Sequence, residues 1–177
     1  DFEHYDDPER WMSYWHQIRA VLSVRPKTVL EIGPGSGVFR SYLRAAGVEV
    51  KTLDIDPTRE VDYVADITKL DQILPPGLTF DAICAFQVLE HLPLTEFETC
   101  LANIARRANP HVFISLPYRG LRVRFGFWWG DHHFTFGHKF MLPWRHKPIP
   151  EHHWELGYPH TARKITKRIA SQLDVVS

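Results

Sequence analysis

The sequence predicts an α/β fold, a mostly parallel sheet covered by helices on both faces, and three observations carry that prediction. Apolar runs of strand length, such as Lys27 to Ile32 and Phe80 to Phe86, alternate with amphipathic helical stretches. These runs suit strands buried on both faces, the condition of a parallel sheet. A glycine-rich loop, Glu31-Ile32-Gly33-Pro34-Gly35-Ser36-Gly37, joins the first strand to the helix that follows.

In chain order, Trp11, Tyr14, Trp15, Ile18 and Leu22 recur at helical spacing and predict an amphipathic helix from about Pro8 to Ser23, with Pro26 ending it. Lys27 to Ile32 is the first strand, and Val38 to Ala46 a helix closed by Gly47. Val48 to Asp54 and the short Asp62 to Val64 follow as strands, then Phe80 to Phe86, a helix over Leu94 to Arg107, and a strand over His111 to Leu116. From Pro117 to Tyr158 the chain is dense in aromatics, histidines and prolines without a sustained period, which predicts an insertion, a lid over the acceptor side of the sheet. Thr161 to Leu173 is a basic amphipathic helix, and Asp174 to Ser177 begins a strand.

Length and composition favour one domain, residues 1–177, with residues 1–25 as a helical cap and 117–158 as the insertion. The chain has 177 residues, 44% of them hydrophobic, enough to bury a core without disulfides or a structural metal. Lys plus Arg and Asp plus Glu both total 21, so no global field attracts nucleic acid or an anionic membrane, and neither is an expected partner. Cys84 and Cys100 fall in apolar or helical segments and read as reduced thiols, which points to the cytoplasm. The residues Asp1-Phe2-Glu3-His4 lack a signal-peptide profile, and no apolar run approaches the roughly 20 residues of a membrane span.

Chemistry concentrates at the ends of the strands. Gly33, Gly35 and Gly37 permit a sharp turn and a close backbone approach to a ligand. Dinucleotide loops place their third glycine where this chain has Val38, and Glu31 lies two residues before the first glycine. That combination disfavours a pyrophosphate and favours a ligand with a cationic amino group. Asp54, 21 residues beyond Gly33, ends the second strand where a carboxylate can accept from ribose hydroxyls, and Ile55 offers an apolar face to an adenine ring. Asp66, with Ile67, either accepts from an adenine amino group or caps the segment from Thr68 to Leu74.

With these motifs in order, the sequence resembles the class I S-adenosylmethionine-dependent methyltransferases over about Lys27 to Tyr118. The stretch Phe80-Asp81-Ala82-Ile83-Cys84-Ala85-Phe86-Gln87-Val88-Leu89-Glu90-His91-Leu92-Pro93 is similar to their fourth-strand motif. The resemblance implies a Rossmann-like αβα sandwich with sheet order 3-2-1-4-5, and S-adenosyl-L-methionine as cofactor, released as S-adenosyl-L-homocysteine. It also implies that Glu31 and the three glycines hold the methionine end, that Asp54 and Ile55 hold ribose and adenine, that Asp66 and Ile67 meet the adenine edge, and that Phe86 and Gln87 line the pocket floor. The helix bearing Trp11 to Trp15 would fold over the cofactor in many relatives, although core packing explains it equally. The acceptor is expected to be a small molecule whose O, N or C nucleophile is undetermined.

Methyl transfer needs chiefly positioning, with a base where the acceptor must lose a proton. His91 is the candidate base, set against a structural Glu90-His91 pair. His132-His133, His138, His146 and His152-His153 invite a metal reading, but adjacent histidines point apart and no H-x-x-x-H helix or cysteine partner accompanies them, so no metal is expected. Trp128-Trp129, Phe134, Phe136, Phe140 and Trp144 could wall an acceptor pocket, or pack a lid onto the domain. Arg119, Arg122 and Arg124 read as a solvated basic face ahead of an anion site. The segment from Glu151 to Tyr158 resembles one before the last helix in some uncharacterised methyltransferases.

The family's sheet ordinarily ends with a sixth parallel strand and an antiparallel seventh. Here the hairpin strand is missing from the pattern, so a partner such as a second copy of the chain covers the edge, the sheet closes differently, or the chain is shortened. Two rival readings are a methyltransferase-like cofactor-binding module without catalysis and an NAD(P)-dependent oxidoreductase on the same fold.

Overall fold

A computed structural model describes the backbone of residues 8–117, 121–129, 132–140, 151–156 and 159–174, and the side chains of residues 8–117, 151–156 and 161–174. Helix α1 spans Pro8–Ser23, strand β1 Thr28–Ile32, helix α2 Val38–Ala45, strand β2 Glu49–Asp54 and strand β3 Tyr63–Val64. A 3-10 turn at Ile67–Lys69 leads into the short helix α3, Leu70–Ile73, and then strand β4, Phe80–Phe86. A second 3-10 turn, Leu89–His91, precedes helix α4, Leu94–Arg107, and strand β5, Ala108–Ser115.

These strands form one sheet of order β3-β2-β1-β4-β5, parallel at every junction. This is the predicted order. Successive side chains of a strand point to opposite faces, so the apolar runs divide between two layers. Val29, Ala82 and Cys84 join Phe39 and Leu43 of α2 and Val21 of α1 on one face. Leu30, Ile32, Ile83 and Ala85 join Leu70, Phe97, Leu101 and Ile104 on the other. Both cysteines are free and buried.

Polar anchors align the layers. Asp81 at the start of β4 accepts from the backbone N–H groups of Lys27 (2.6 Å) and Thr28 (2.9 Å), while its own N–H donates to Thr28 Oγ1 (3.0 Å). The β1 and β4 strands therefore begin in register. At the far end of α4, Arg107 donates from Nε to Asp71 Oδ1 (2.7 Å) and from Nη1 to the carbonyls of Pro75 (2.9 Å) and Leu78 (3.2 Å). One buried guanidinium thus ties α3 and the following loop to α4.

Beyond β5 the chain departs from the expectation of an unpatterned insertion. Strand β6, Leu121–Trp129, pairs antiparallel with β7, His132–Phe140, from Leu121 opposite Phe140 to Trp129 opposite His132. The signal was present as the alternation Leu121-Arg122-Val123-Arg124-Phe125, masked by the surrounding aromatic density. Strands β8, Glu155–Leu156, and β9, Pro159–His160, form a small parallel pair ahead of helix α5, Ala162–Ala170. Among the described residues no sixth strand joins the central sheet. The strand expected over Asp174 to Ser177 lies outside the described residues beyond its first position, as do Trp144, His146 and the amino-terminal residues 1–7; the histidine, aromatic and arginine side chains expected to act between Arg119 and Phe140 are outside them too.

Substituting Arg107→Ala removes the only guanidinium serving the Pro75 and Leu78 carbonyls among the described contacts and breaks a partly buried ion pair with Asp71. The expected loss is about 2–4 kcal/mol of unfolding free energy by urea denaturation. A loss within experimental error would show that this anchor carries no stability.

Candidate active site

The site begins with backbone conformation. At the end of β1 the chain turns with Gly33 at φ +67, Gly35 at +53 and Gly37 at +80, a left-handed region that glycine enters without a Cβ penalty. Gly33 N–H donates to Leu53 O at 2.8 Å, which ties the turn to the end of β2. A Cβ added at Gly33 would lie 2.5 Å from Val88 Cγ2, so the loop also closes against the residues after β4. Gly37 then caps the amino terminus of α2.

Around this turn, at the carboxyl ends of the strands, lies a cavity of about 480 Å³. Gly33 and Gly35 form one wall, Asp54 and Ile55 follow β2, Asp66 and Ile67 follow β3, and Gln87 and His91 follow β4. Eight of the sequence-predicted residues therefore converge although they span 58 positions from Gly33 to His91. Glu31, Gly37 and Phe86 are not in the cavity wall. Phe86 instead packs edge-on against Phe39, with ring centroids 5.2 Å apart. Arg59, not singled out among the candidate site residues, lines the cavity and donates from Nη1 to Gly35 O at 2.9 Å, bracing the loop.

Asp54 uses Oδ1 to accept from Asp56 N–H at 2.9 Å, which fixes the carboxylate at the end of β2. Ile55 is 68% exposed and lines the cavity, so it presents an apolar surface to whatever enters it. Asp66 Oδ1 accepts from Thr68 N–H at 2.9 Å. The N-cap role considered for it is therefore present, and the same residue borders the cavity. Gln87 adopts φ +58 and donates its N–H to Ser115 O at 3.0 Å, turning the chain away from the sheet.

Two carboxylates stand out. Glu31 is buried beneath the glycine loop, and its Oε2 has no hydrogen-bond partner among the described residues. Burial pushes its pKa up to about 8, against the opposing pull of Arg40 and Arg44. Glu90 is fully buried with both carboxylate oxygens unpartnered among the described residues. Burial, reinforced by the charge of Glu155, raises it to about 7.

His91 ends the 3-10 turn, and its Nδ1–H donates to the Glu151 carbonyl at 3.0 Å. The segment carrying Glu151 is stitched to this junction. His153 N–H donates to Glu90 O (2.9 Å), and Trp154 Nε1–H donates to Leu92 O (2.9 Å). Trp154 is buried against Phe97, and the His91 and His152 rings meet edge to face at 4.8 Å. Glu90 was weighed in the sequence only as a structural partner of His91 and His152 only as half of a histidine doublet; Trp154 was not singled out, and the signal for it was the resemblance of the Glu151 to Tyr158 segment to one in uncharacterised relatives.

A profile described as a methyltransferase domain matches residues 2–143, most of the chain. The chain belongs to this methyltransferase family. No curated protein sequence matches it significantly. In fold, this methyltransferase is similar to an S-adenosylmethionine-bound amino pentose methyltransferase from Micromonospora echinaspora involved in calicheamicin biosynthesis. That match has 12% identity and a TM-score of 0.53, and covers 90% of this chain and 81% of the other. It is also similar to magnesium protoporphyrin IX methyltransferase from Synechocystis PCC 6803, solved with bound S-adenosylhomocysteine, at 16% identity and a TM-score of 0.50 over 62% of this chain and 56% of that one. At these identities the likeness is one of fold, the Rossmann-like sandwich anticipated from the order of strands.

Glu31 gives this methyltransferase a testable pH dependence. Because its folded value of about 8 lies above the ordinary 4.5, the folded state holds the proton more tightly than the unfolded chain does. The resulting stabilisation is complete below pH 4.5, declines as pH rises, and is gone above about pH 8. Glu31→Gln should abolish a pH-linked loss on the order of a few kcal/mol, read as the difference in melting temperature between acidic and alkaline buffer. Parallel pH profiles for the two proteins would refute the assignment.

Proposed function

We propose that this methyltransferase binds S-adenosyl-L-methionine in the cavity beside the glycine loop and transfers its methyl group to a small-molecule acceptor arriving near His91. The observation that carries the reading is the convergence of Gly33, Gly35, Asp54, Ile55, Asp66 and Gln87 on one cavity at the carboxyl end of a parallel sheet. Its volume of about 480 Å³ suits a small-molecule site, for which roughly 300–1,000 Å³ is usual. The bound ligands named for the Micromonospora and Synechocystis structures support the same cofactor.

The chain's own groups fit such a cofactor. Val88 fills the space a Cβ would take at Gly33, so only glycine lets the loop close against the residues after β4 and shape that wall of the cavity. The orphaned carboxylate of Glu31 beneath the loop complements an amino group, acting from below the cavity wall together with the turn through Gly35 and Gly37. Asp54 accepts from the ribose hydroxyls, Ile55 covers a face of the adenine, and Asp66 with Ile67 borders its edge. Gln87 supports the floor, with Phe86 holding it from behind through Phe39. When bound, the cofactor supplies a methyl group already activated on sulfonium, ready for in-line displacement.

What remains for the protein is orientation and, for an O–H or N–H acceptor, removal of a proton. With Nδ1–H committed to Glu151 O, His91 keeps the Nε2 lone pair free to take that proton. The same contact supports residues 117–158 as an insertion closing on the acceptor side, and the two free buried thiols fit a reducing compartment such as the cytoplasm. Among the described residues, no helix is long and apolar enough to cross a membrane.

Asp54→Ala should weaken S-adenosylhomocysteine binding by about 10- to 100-fold in isothermal titration calorimetry, the worth of charge-assisted hydrogen bonds. Wild-type protein should show no comparable binding of NAD. Equal affinities for wild type and variant would remove Asp54 from the site, and tight NAD binding would overturn the cofactor assignment.

A further inference from the structure

The buried carboxylate of Glu90 has no role in the reading above, and its setting is unusual. It is fully buried, and neither oxygen has a hydrogen-bond partner among the described residues. An isolated buried acid of this kind is costly unless a cation or a donor compensates it. Two imidazoles stand beside it. One donor atom from each of Glu90, His91 and His152 lies within 4.8 Å of the other two.

The hydrogen bonds of the two histidines sharpen the point. His91 Nδ1–H donates to the Glu151 carbonyl at 3.0 Å, and His152 Nδ1–H donates to the Glu155 carboxylate at 3.1 Å. Metal-ligating histidines almost always engage their second nitrogen with a carbonyl or carboxylate, which orients the ring and leaves the other nitrogen's lone pair for the ion. Both rings here have that outer partner, and both keep Nε2 for a ligand bond. The backbone bond from His153 N–H to Glu90 O holds the two segments together at this point.

We propose that Glu90, His91 and His152 form a binding site for one divalent transition-metal ion at the edge of the cofactor cavity. Two imidazoles and a carboxylate select zinc or iron over magnesium and calcium, which take oxygen ligands. Three protein ligands leave open coordination positions, and since His91 lines the cavity those positions serve an oxygen-bearing acceptor. The inference deepens the reading of the cavity as a methyl-transfer site and assigns His91 Nε2 to the ion in place of a proton. It also reverses the expectation of no metal drawn from the histidine doublets. Each doublet remains divided as expected, but folding brings one member, His152, to a histidine 61 positions away.

The test is calorimetric titration of the chelator-treated 177-residue chain with zinc chloride, and with cobalt chloride for its visible absorption, with S-adenosylhomocysteine binding measured on the same samples. Wild type should bind one ion per chain. His152→Ala and Glu90→Gln should weaken that binding by about tenfold or more. His153→Ala, which removes an exposed neighbouring imidazole, should match wild type. His152→Ala should retain cofactor-product binding, which certifies its fold even if Glu90→Gln fails to fold. Equal zinc affinity in wild type and His152→Ala, or a larger loss in His153→Ala, would overturn the site. Intact zinc binding without S-adenosylhomocysteine binding would overturn the cofactor reading while upholding the metal site; the opposite pattern would overturn the metal site alone.

Discussion

The left-handed turn at Gly33 is the constraint on which the rest of the site depends. Its N–H is held by the end of β2 through Leu53 O, and its bare Cα faces Val88 after β4, closer than any side chain could tolerate. Three chain segments thus meet at one residue. Because the sheet is parallel, the loops after β1, β2, β3 and β4 all emerge at the same end, and closing the first of them tightly defines a cavity that the others complete. Asp81 performs the matching task at the opposite end, where it fastens the starts of β1 and β4.

A second closure is made late in the chain. Residues 151–156 dock on the junction between β4 and α4 by backbone bonds and by Trp154, whose ring packs on Phe97 while its N–H reaches Leu92 O. That docking brings His152 to His91 and buries Glu90. The region between β5 and α5, which reads in sequence as an insertion without pattern, therefore ends in a segment that packs on His91 and Leu92, two residues of the cavity wall.

Two buried carboxylates with unpartnered oxygens among the described residues, Glu31 at Oε2 and Glu90 at both oxygens, show where stability is given up. Glu31 beneath the glycine loop and Glu90 beyond β4 are both pushed upward by burial, toward about 8 and about 7. Neither helps the fold as an isolated ion. Buried acids that a scaffold leaves without partners are characteristic of positions where function supplies the compensating charge, and these two lie below and beside a cavity at the ends of the strands.

Much of this was legible in the sequence because it depends on local rules. Apolar runs specify buried strands, glycines at a strand end specify a turn, and an acid ends the second strand; the strand order was implied by the resemblance to the methyltransferase family, and the fold brings Gly33, Asp54, Asp66 and His91 to one cavity. The β6–β7 hairpin was less legible, since its alternation is short and set among aromatics. Phe86 illustrates a different limit: its position in the chain is that of a cavity residue, but the pleat of β4 turns it toward Phe39. The sequence by itself determined the strands of the central sheet, the helices between them and the glycine turn, because each is set by the periodicity or conformation of a few neighbouring residues. Only the tertiary structure decided that Glu90 is buried without a partner and that His91 and His152 face one another, because those facts arise from packing between segments some sixty positions apart, for which no periodicity exists to be read.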